Sequence, residues 1–595
     1  MFFYLENRFT NNPPGVNILP PEAKEFHALQ EHTLHLQAGK QRIESLQMPG
    51  GGRLLLLGDP VFQPRENLAE NLCTPDGHLD IRALYTEIRG HYNWFYLQSA
   101  GFSCGNSFGA LFPVYYHIRH DRILLSSSAF FLGGKLDNAV PDRRYLLERL
   151  LFNYPFFQST GLSGVGLLGA HRRLVVSETG ARMDTPFAVD DYFGSGREHG
   201  AESLRRLTEL FESETRLFLP DAPFAVSFTG GFDGRTLVAA ARKAGRSDFF
   251  TYSFGMPGET DVTFPAAQTK MLGIPYQPVY LDDDYVEQHA YHSAWAFMRL
   301  SEFNGNFGRP HYHYAARLLS GKTNYILTGN FGSEMFRAMH NPGVMMSEAL
   351  IRVFTATDNA WKDFLRQCAG EQANAFFRTE MDALIADLEQ YLANKKELDP
   401  NRRFYVFVLE EIFRKYFGPE LVMQSHYLCN RTPYLSFRFF RALNETVWSG
   451  VHARLFEKQK NKRLKGQIFY SAFLQGADRQ FYRLPTNKGY SPADVLEQWR
   501  RPLLLAKVAR QKFFRRETGD SNAVETWFSR YYGDLMREIE PRDYPELLLS
   551  GLSAFLDRDA PAPDFMEKTI HFCSLAAAWA AAARVSTHAT SNQIV

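Results

Sequence analysis

The chain has 595 residues, a length that predicts two or three domains and excludes a lone small binding module. Lys and Arg together number 66 and Asp and Glu 65, so the net charge of +1 provides no overall field that would attract nucleic acid or anionic lipid. Hydrophobic residues at 45% and charged residues at 22% are ordinary globular values, which exclude a disordered or fibrous chain.

The five cysteines show no CxxC spacing, so the sequence predicts neither a zinc site nor a disulfide framework. They are Cys73, Cys104, Cys368, Cys429 and Cys573. The first residues lack the basic start and long apolar run of a signal peptide, and the most apolar stretch, residues 574–585, is too short to cross a bilayer. We therefore expect a cytoplasmic protein with no membrane partner and no nucleic-acid partner.

The first part of the chain contains short apolar runs separated by turn residues, a pattern typical of strands. The clearest runs are residues 54–57, 123–125 and 173–176. Apolar residues at three- and four-residue spacing predict helices at residues 80–89 and 142–152. We expect a sheet-rich α+β domain over residues 1–195, followed by a loose segment at residues 194–200.

Beyond this segment, apolar runs and helical patterns alternate, which predicts βα units around a buried parallel sheet. Strands are predicted at residues 224–228, 249–254, 278–281 and 325–328, and helices at residues 262–272 and 311–319. Ligands of such sheets bind beyond the carboxyl ends of the strands. From about residue 347 the pattern is mostly helical, and we expect the second domain to span residues 201–595.

A glycine-rich segment follows the first of these strands and precedes a helix. Gly230 and Gly231 allow backbone N–H groups to approach an anion, and the positive end of the helix dipole favours phosphate. Thr229 offers a hydroxyl donor, and Asp233 is compatible with phosphate if it holds Mg²⁺. In the alternative interpretation, the glycines only turn the chain and Asp233 caps the helix. The segment matches neither a Walker loop nor the GxGxxG fingerprint.

The sequence Thr-Gly-Gly-Phe-Asp-Gly at residues 229–234 resembles the Ser-Gly-Gly-x-Asp-Ser pyrophosphate loop of the ATP-pyrophosphatase superfamily. The similarity is greatest to its asparagine synthetase and β-lactam synthetase family. Four later segments resemble family motifs in the same order, at residues 251–255, 328–334, 430–435 and 487–490. The resemblance implies a doubly wound α/β ATP-pyrophosphatase domain with a helical C-terminal part, preceded by an Ntn-hydrolase-like glutaminase domain.

The resemblance also implies site residues. ATP would be bound by Ser227, Thr229, Gly230, Gly231, Asp233, Gly234, Ser253, Gly255 and Gly329. Asp233 and Glu334 would hold Mg²⁺, and Lys488, Glu334 and Arg235 would act in catalysis. A lysine on a glycine loop can reach both the phosphates and a developing oxyanion, whereas the alternative for Lys488 is a surface loop residue. Arg235 is expected to bind phosphate, or else to face solvent.

Several positions depart from the family pattern. Phe2 stands where glutamine-dependent members have the nucleophilic cysteine, so no glutaminase activity is carried over. Gly234 replaces a serine of the pyrophosphate loop. The segment at residues 328–334 aligns in two ways: without a gap, Asn330 replaces the family's glutamate and Ser333 its metal-binding aspartate. The preferred alignment, with one inserted residue, keeps a carboxylate at Glu334 but places Phe331 where β-lactam synthetase has its catalytic tyrosine.

The base that would deprotonate an attacking amine is therefore missing from its usual position. Glu410 and Glu411 are candidates for this base, but the preferred interpretation is that they belong to a solvated helix face.

The favoured hypothesis is an ATP-dependent, AMP-forming ligase that adenylates a small-molecule or peptide carboxylate and transfers the acyl group to an amine. Without a glutaminase, intramolecular cyclisation in peptide or natural-product biosynthesis ranks above plain amidation. The main alternative is a catalytically inactive nucleotide-binding or scaffold protein of the same fold. A tRNA or nucleotide thiolase is a third reading, which would call for a sulfur-relay cysteine and a basic surface. A homodimer is compatible with the resemblance, but the sequence does not determine the oligomeric state.

Overall fold

The computed structural model describes residues 2–8, 24–28, 32–37, 39–120, 122–177, 179–186, 193, 198–336, 345–356, 358–452, 465–514, 523–539 and 566–588. Residues 194–197 of the predicted loose segment lie outside this set. The described chain is a mixed α/β structure with a sheet-rich N-terminal region, a parallel five-stranded sheet and a helical C-terminal part.

Twelve strands form the N-terminal region. They are β1 (Phe2–Arg8), β2 (Lys24–Ala28), β3 (His32–Gln37), β4 (Arg42–Gln47), β5 (Arg53–Val61), β6 (Arg89–Gln98), β7 (Gly101–Asn106), β8 (Tyr115–Ile118), β9 (Arg122–Ser126), β10 (Gly166–Leu167), β11 (Arg173–Ser177) and β12 (Gly180–Asp184). They make two antiparallel six-stranded sheets with the orders β10-β8-β9-β1-β3-β2 and β12-β11-β7-β6-β5-β4.

The two sheets share a buried core, because alternate side chains on each strand point to the same face. Phe3 and Leu5 of β1 pack in one cluster with Leu55 and Leu57 of β5. Four helices complete the region: α1 (Leu68–Asn71), α2 (Ile81–Glu87), α3 (Ala129–Gly133) and α4 (Arg143–Phe152). The predicted strands and both predicted helices are confirmed. Each of those two helices begins after an aspartate, Asp80 or Asp142, whose carboxylate accepts backbone N–H bonds.

After α5 (Ala201–Phe218) come the strands of the parallel sheet. They are β13 (Phe224–Ser227), β14 (Phe249–Gly255), β15 (Tyr276–Tyr280), β16 (Tyr325–Leu327) and β17 (Cys429–Arg431). The order is β15-β14-β13-β16-β17, and every neighbouring pair is parallel. The strands β14 and β15 therefore lie on one side of the central β13, and the later strands β16 and β17 lie on its other side. The four predicted strands are confirmed, whereas β17 was not predicted.

Helices connect these strands: α6 (Asp233–Lys243), α7 (Thr260–Leu272), α8 (Ala290–Leu300), α9 (Pro310–Ser320) and α10 (Gly332–Phe336). Further helices are α11 (Glu348–Thr355), α12 (Ala360–Ala369), α13 (Glu371–Phe376), α14 (Arg378–Asn394), α15 (Pro400–Phe407), α16 (Gly418–Gln424), α17 (Phe437–Asn444), α18 (Lys465–Ala477), α19 (Arg479–Arg483), α20 (Pro492–Leu496), α21 (Arg501–Phe514), α22 (Ala523–Ile539) and α23 (Met566–His588). A π-helical segment, Val408–Phe417, joins α15 to α16. In the described part of the chain, no helix has both the length and the apolar character needed to cross a membrane.

Buried ion pairs tie the N-terminal sheets to the parallel sheet. Arg431 of β17 donates two hydrogen bonds to Asp59 of β5, at 2.7 and 3.1 Å. Arg89 of β6 makes a similar two-bond contact with Glu214 of α5, at 2.9 and 3.0 Å. All four residues are buried, so the two regions pack closely against each other.

Candidate functional site

The glycine-rich segment lies where the strand order of the parallel sheet reverses. The loop after β13 leads into α6 at Asp233, and the loop after the neighbouring β16 leads into α10. Connections from these two strands run in opposite directions, which opens a crevice at their carboxyl ends. The N–H groups of the first turn of α6 point into such a crevice without helical partners.

Gly234 allows α6 to approach β13 very closely. A Cβ atom at this position would lie 2.3 Å from the backbone oxygen of Ser227, closer than any real contact. The motif that this segment resembles has a serine at this position. No side chain fits here, which explains the glycine. The segment also contacts a distant loop, because the N–H of Asn487 donates to the backbone oxygen of Gly230 at 3.0 Å.

The loop between β16 and α10 closes around Asp233. A Cβ on Gly329 would lie 2.7 Å from Cβ of Asp233, and one on Gly332 would lie 3.2 Å from its carboxyl carbon. Phe331 adopts the left-handed conformation, with φ 70°. Its ring is buried against those of Phe413 and Phe417, at 4.9 and 4.7 Å between centroids, so this side chain supplies no group to the crevice.

A cavity at this crevice brings together several of the predicted site residues. It encloses about 510 Å³ of empty space including its mouth. The lining residues are Gly231, Phe232, Asp233, Ser333, Phe336, Gly466, Gln467, Tyr470, Thr486, Asn487 and Lys488. The loop carrying Lys488 thus faces Asp233 across the cavity, although the two residues are far apart in the chain.

The position of Lys488 is fixed by a tight turn. The hydroxyl of Thr486 donates to the backbone oxygen of Tyr490 at 2.9 Å and accepts the N–H of Lys488 at 3.3 Å. Gly489 has φ 73°, a left-handed conformation that favours glycine. Lys488 is exposed on this turn, which agrees both with a residue that binds phosphate and with the alternative of a surface loop lysine.

Arg235 does not fulfil the expectation of a phosphate contact. The residue is completely buried, with 0% exposure. Its guanidinium donates to the backbone oxygens of Leu484 and Pro485, at 2.9 and 2.8 Å, and to Oε1 of Gln268 at 2.8 Å. A bond of 3.2 Å to the oxygen of Phe481 completes the set. The prediction of a catalytic, phosphate-binding Arg235 is therefore wrong. The side chain instead anchors the segment that precedes Lys488.

Two tyrosines that the sequence did not single out lie beside Asp233. The hydroxyl of Tyr434 donates to the backbone oxygen of Asp233 at 3.0 Å. Tyr470 is 4% exposed and lines the cavity, and its hydroxyl interacts with the Asp233 carboxylate. Burial and the nearby Asp233 carboxylate raise the pKa of both phenols well above 10. Both therefore stay protonated at neutral pH and act as donors. No motif marks Tyr470, so only the tertiary structure identifies it.

The donor set at the cavity fits a hard divalent cation such as Mg²⁺. Asp233 lines the cavity, whereas Glu334 does not line it, although the negative charge of each raises the pKa of the Tyr470 phenol. The missing side chain of Gly332 allows Tyr470 and Asp233 to approach closely, because a Cβ would lie 2.9 Å from the Tyr470 hydroxyl. No group of three or more acidic, His or Cys residues suited to a metal occurs among the described residues. Mg²⁺ is commonly bound by one or two carboxylates, with water and substrate phosphates completing its shell.

The remaining predicted residues do not line the cavity. Ser253 and Gly255 are at the carboxyl end of the neighbouring β14, and the Ser253 hydroxyl pairs with that of Tyr276 at 2.7 Å. Ser227 ends β13, Thr229 is exposed, and Gly230 is packed against Asn487.

Neither alternative base is near the cavity. Glu410 accepts a bond from Tyr391 at 2.9 Å, and Glu411 is buried with Lys415 and Arg414, at 2.6 and 3.1 Å. Both carboxylates belong to the π-helical segment and line a different part of the molecule.

No protein-family model matches the chain, and no curated protein matches it. Several solved structures match part of it, and two of them are as follows. Glutamine phosphoribosylpyrophosphate amidotransferase from B. subtilis, complexed with ADP and GMP, is 10% identical, with 44% of this chain and 53% of that chain covered and a TM-score of 0.18. A structure of the allosteric regulatory enzyme of purine biosynthesis is also 10% identical, with 42% and 51% covered and a TM-score of 0.18. The chain spans about half the length of these proteins.

Proposed function

We propose that the protein is an ATP-dependent, AMP-forming carbon–nitrogen ligase that joins a substrate carboxylate to an amine. The observation that carries the proposal is that Asp233 and Lys488 line one cavity where the order of the parallel sheet reverses, with the charge of Glu334 acting on Tyr470 of the same lining. The pattern of residues 229–234 supports the same conclusion.

In the proposed first step, an oxygen of the substrate carboxylate attacks the α-phosphorus of ATP. A new P–O bond forms, the bond to the bridging oxygen breaks, and pyrophosphate leaves. The backbone N–H groups of residues 230–234 and the Lys488 ammonium would hold the phosphates, while the Tyr470 phenol would donate to an oxygen in the cavity. Mg²⁺ held by Asp233 and Glu334 would neutralise phosphate charge.

In the second step, the amine attacks the acyl carbon, the C–N bond forms, and the C–O bond to AMP breaks. Adenylation makes this step feasible because AMP is a far better leaving group than a carboxylate oxygen. The amine proton would pass to a carboxylate or water in the cavity. The amine belongs to the substrate itself, to a second molecule or to free ammonia, and the favoured case is intramolecular cyclisation of a peptide or natural product.

We further propose that the N-terminal sheets are a glutaminase-like domain of the Ntn-hydrolase type that has lost its activity. Phe2 begins β1 and its ring contacts that of Phe131 at 5.0 Å, edge to face. A phenyl ring can neither attack an amide nor be activated to do so. The proposed boundaries remain residues 1–195 for this domain and 201–595 for the ATP-pyrophosphatase domain.

Calorimetric titration of MgATP into the protein tests whether it binds the nucleotide, which the proposed reaction requires. We expect micromolar binding that Asp233→Ala abolishes, because the variant removes a carboxylate from the phosphate crevice. Asp363→Ala is the matched control, since Asp363 is also an aspartate in the first turn of a helix but is exposed. Absence of binding to the folded wild-type protein would contradict the proposal.

A nucleotide-binding protein without ligase activity is the second candidate function. The observation that favours it is Phe331, which carries no hydroxyl and is turned away from the cavity. Screening carboxylate and amine pairs for release of AMP and pyrophosphate distinguishes the two. MgATP binding without AMP formation across peptide, amino-acid and apolar acid substrates would favour the binding protein.

A further inference from the structure

A second cavity lies between the N-terminal sheets and the helices around the parallel sheet, and it shares no lining residue with the first. We call it the Glu302 cleft and define it by lining residues within 110–115, 129–130, 155–167, 301–304 and 414–422. It holds about 700 Å³ of empty space including its mouth. Much of its wall is apolar, with Leu111, Leu162, Leu167 and Val422 among its residues.

Two buried cations lie at one wall of the cleft. The side chains of Arg414 and Lys415 are 2% and 4% exposed, and both pair with the single carboxylate of Glu411. The nearby Glu148 pairs with Arg144 instead, at 2.8 Å. Burial lowers the pKa of Lys415 to about 7, so the Arg414–Lys415–Glu411 group carries its full excess positive charge only at lower pH, in surroundings where an isolated charge is unfavourable.

Each of these cations has an N–H hydrogen that is not donated to an acceptor in the described chain. The terminal nitrogens of Arg414 donate to the backbone oxygens of Leu168 and Phe157, at 2.7 and 2.8 Å, but its Nε has no acceptor in the described chain. Nζ of Lys415 has two acceptors, Phe157 O and Glu411 Oε2, and an ammonium has three hydrogens. A buried donor without an acceptor is unfavourable, so an added acceptor at this wall would be stabilising.

The opposite wall of the cleft has a strained backbone. Glu302 and the following Phe303 both adopt the left-handed conformation, with φ 54° each. A non-glycine residue in this conformation is strained, and such residues cluster at active sites, ligand clamps and switch regions. The turn directs the Glu302 carboxylate to the N–H of Phe130 at 3.2 Å, and Asn304 donates to the hydroxyl of Tyr115 at 3.3 Å. Burial raises the pKa of Glu302 to about 7, which limits its repulsion of an anion.

We propose that the Glu302 cleft binds a small monocarboxylate with an apolar body, whose carboxylate accepts from Arg414 and Lys415 while its body lies on the apolar wall. Below about pH 7, where Lys415 is protonated and Glu302 is neutral, one excess positive charge matches one carboxylate, whereas a protonated amine would be repelled. Because Arg414 also holds backbone oxygens of the N-terminal region, the bound acid would link the two regions. This site is independent of the proposed ligase reaction and of the nucleotide loop.

The probe for this site is 4-fluorophenylacetate, observed by fluorine NMR with the full-length protein. We expect saturable binding that is at least about tenfold tighter than that of 2-(4-fluorophenyl)ethanol, which has the same ring without the charge. Lys415→Met should weaken binding of the acid by about tenfold and leave the alcohol unchanged. The proposal would be overturned if the acid and the alcohol bound with equal affinity. It would also be overturned if the acid showed no binding at a concentration of about 10 mM.

Two variants that fill the cleft locate the binding. Gly161→Leu places a side chain in open space, because a Cβ there would have its nearest neighbour, the Tyr145 ring, at 3.8 Å. Ser159→Leu adds bulk at a second lining position and serves if the first variant does not fold. We expect each folded variant to lose the probe, while Asp233→Ala keeps it. Unchanged binding in a folded cleft variant would place the acid elsewhere and refute the proposed site.

Discussion

At the scale of single residues, glycines decide how closely the chain surrounds Asp233. The neighbours of this aspartate are Gly234 in the same helix and Gly329 and Gly332 in the facing loop, and a Cβ on any of them would meet atoms at 2.3 to 3.2 Å. The carboxylate is therefore held in a space that has no room for extra side chains. Small residues at these three positions follow from packing alone.

Gly234→Ala tests this view. We expect the variant to lose roughly 1–3 kcal/mol of stability, because α6 must move away from the Ser227 carbonyl, and to bind MgATP less tightly. Gly231→Ala is the control for stability, since a Cβ there would meet only the Thr229 hydroxyl, at 3.7 Å. The measurement is thermal unfolding of both variants. Equal melting temperatures for Gly234→Ala and wild type would contradict the close approach.

Glu420 is a buried carboxylate whose titration affects stability. It is 4% exposed, accepts from Nε2 of Gln424 at 3.2 Å, and burial raises its pKa to about 7. Because the folded state holds this proton more tightly than the unfolded state, the contribution to stability is complete below about pH 4.5. It is lost as the pH rises to about 7.

Glu420→Gln removes this dependence. The stability of the variant minus that of wild type should increase by roughly 2–3 kcal/mol when the pH is raised from 5 to 8, since glutamine has no charged form to bury. Denaturant unfolding at the two pH values gives the difference. Glu397→Gln, at an exposed position, should show no such change. A constant difference for Glu420→Gln across this range would count against a raised pKa.

At the scale of elements, the loop that carries Lys488 is held by two of the helices that pack on the parallel sheet, α6 and α7. Arg235 of α6 and Gln268 of α7 both donate to the backbone oxygen of Pro485, at 2.8 and 2.6 Å. The backbone of residues 481–485 thus gains donors from two other elements. The predicted ligand of phosphate is in fact the residue that positions the predicted lysine.

Arg235→Met should therefore cost about 3 kcal/mol of stability, because buried backbone oxygens lose their donors. It should also weaken MgATP binding, as the Lys488 loop would no longer be held against the crevice. Arg242→Met is the control: Arg242 lies two turns further along α6, is half-buried, and pairs with Asp478 at 3.0 Å. Calorimetry and thermal unfolding of both variants make the comparison. Full affinity in a folded Arg235→Met protein would show that the loop is positioned by other contacts.

The elements that the sequence predicted correctly are those with strong local patterns. The apolar run of β13 is buried on both faces, as in other parallel sheets, and the helices starting at Ile81 and Arg143 follow capping aspartates. The sequence did not predict β17, whose three residues include polar Asn430 and Arg431. That strand is stabilised by pairing with β16 and by Asp59, neither of which is visible in its own sequence.

At the scale of the whole molecule, the Asp59–Arg431 pair joins the two major regions. The Arg431 guanidinium also donates to the backbone oxygen of Phe218 at 3.0 Å, and Arg42 contacts Asp59 at 2.9 Å. Residues from β4, β5, α5 and β17 thus meet at one buried point. Removing one partner of such a pair leaves an uncompensated charge.

We expect Arg431→Met to destabilise the protein by about 3 kcal/mol, and the double variant Asp59→Asn/Arg431→Met to recover part of this loss. Arg438→Met is the control, because Arg438 pairs with Glu214 but is half-exposed, and its loss should cost less than about 1 kcal/mol. Unfolding in denaturant gives all three values. Strict additivity of the Asp59 and Arg431 effects would mean that the pair does not couple the regions.

The sequence by itself determined the sheet-rich N-terminal region, the parallel strands with their helices, and the location of the glycine loop with Asp233 and Lys488. These features depend on the spacing of apolar residues and on short motifs, which each segment carries in itself. The tertiary structure alone decided that Arg235 is buried, that Phe331 turns away and that Tyr470 faces Asp233. The physical reason is separation along the chain: Arg235 meets Leu484 across 249 residues, and such contacts follow from how the whole chain packs.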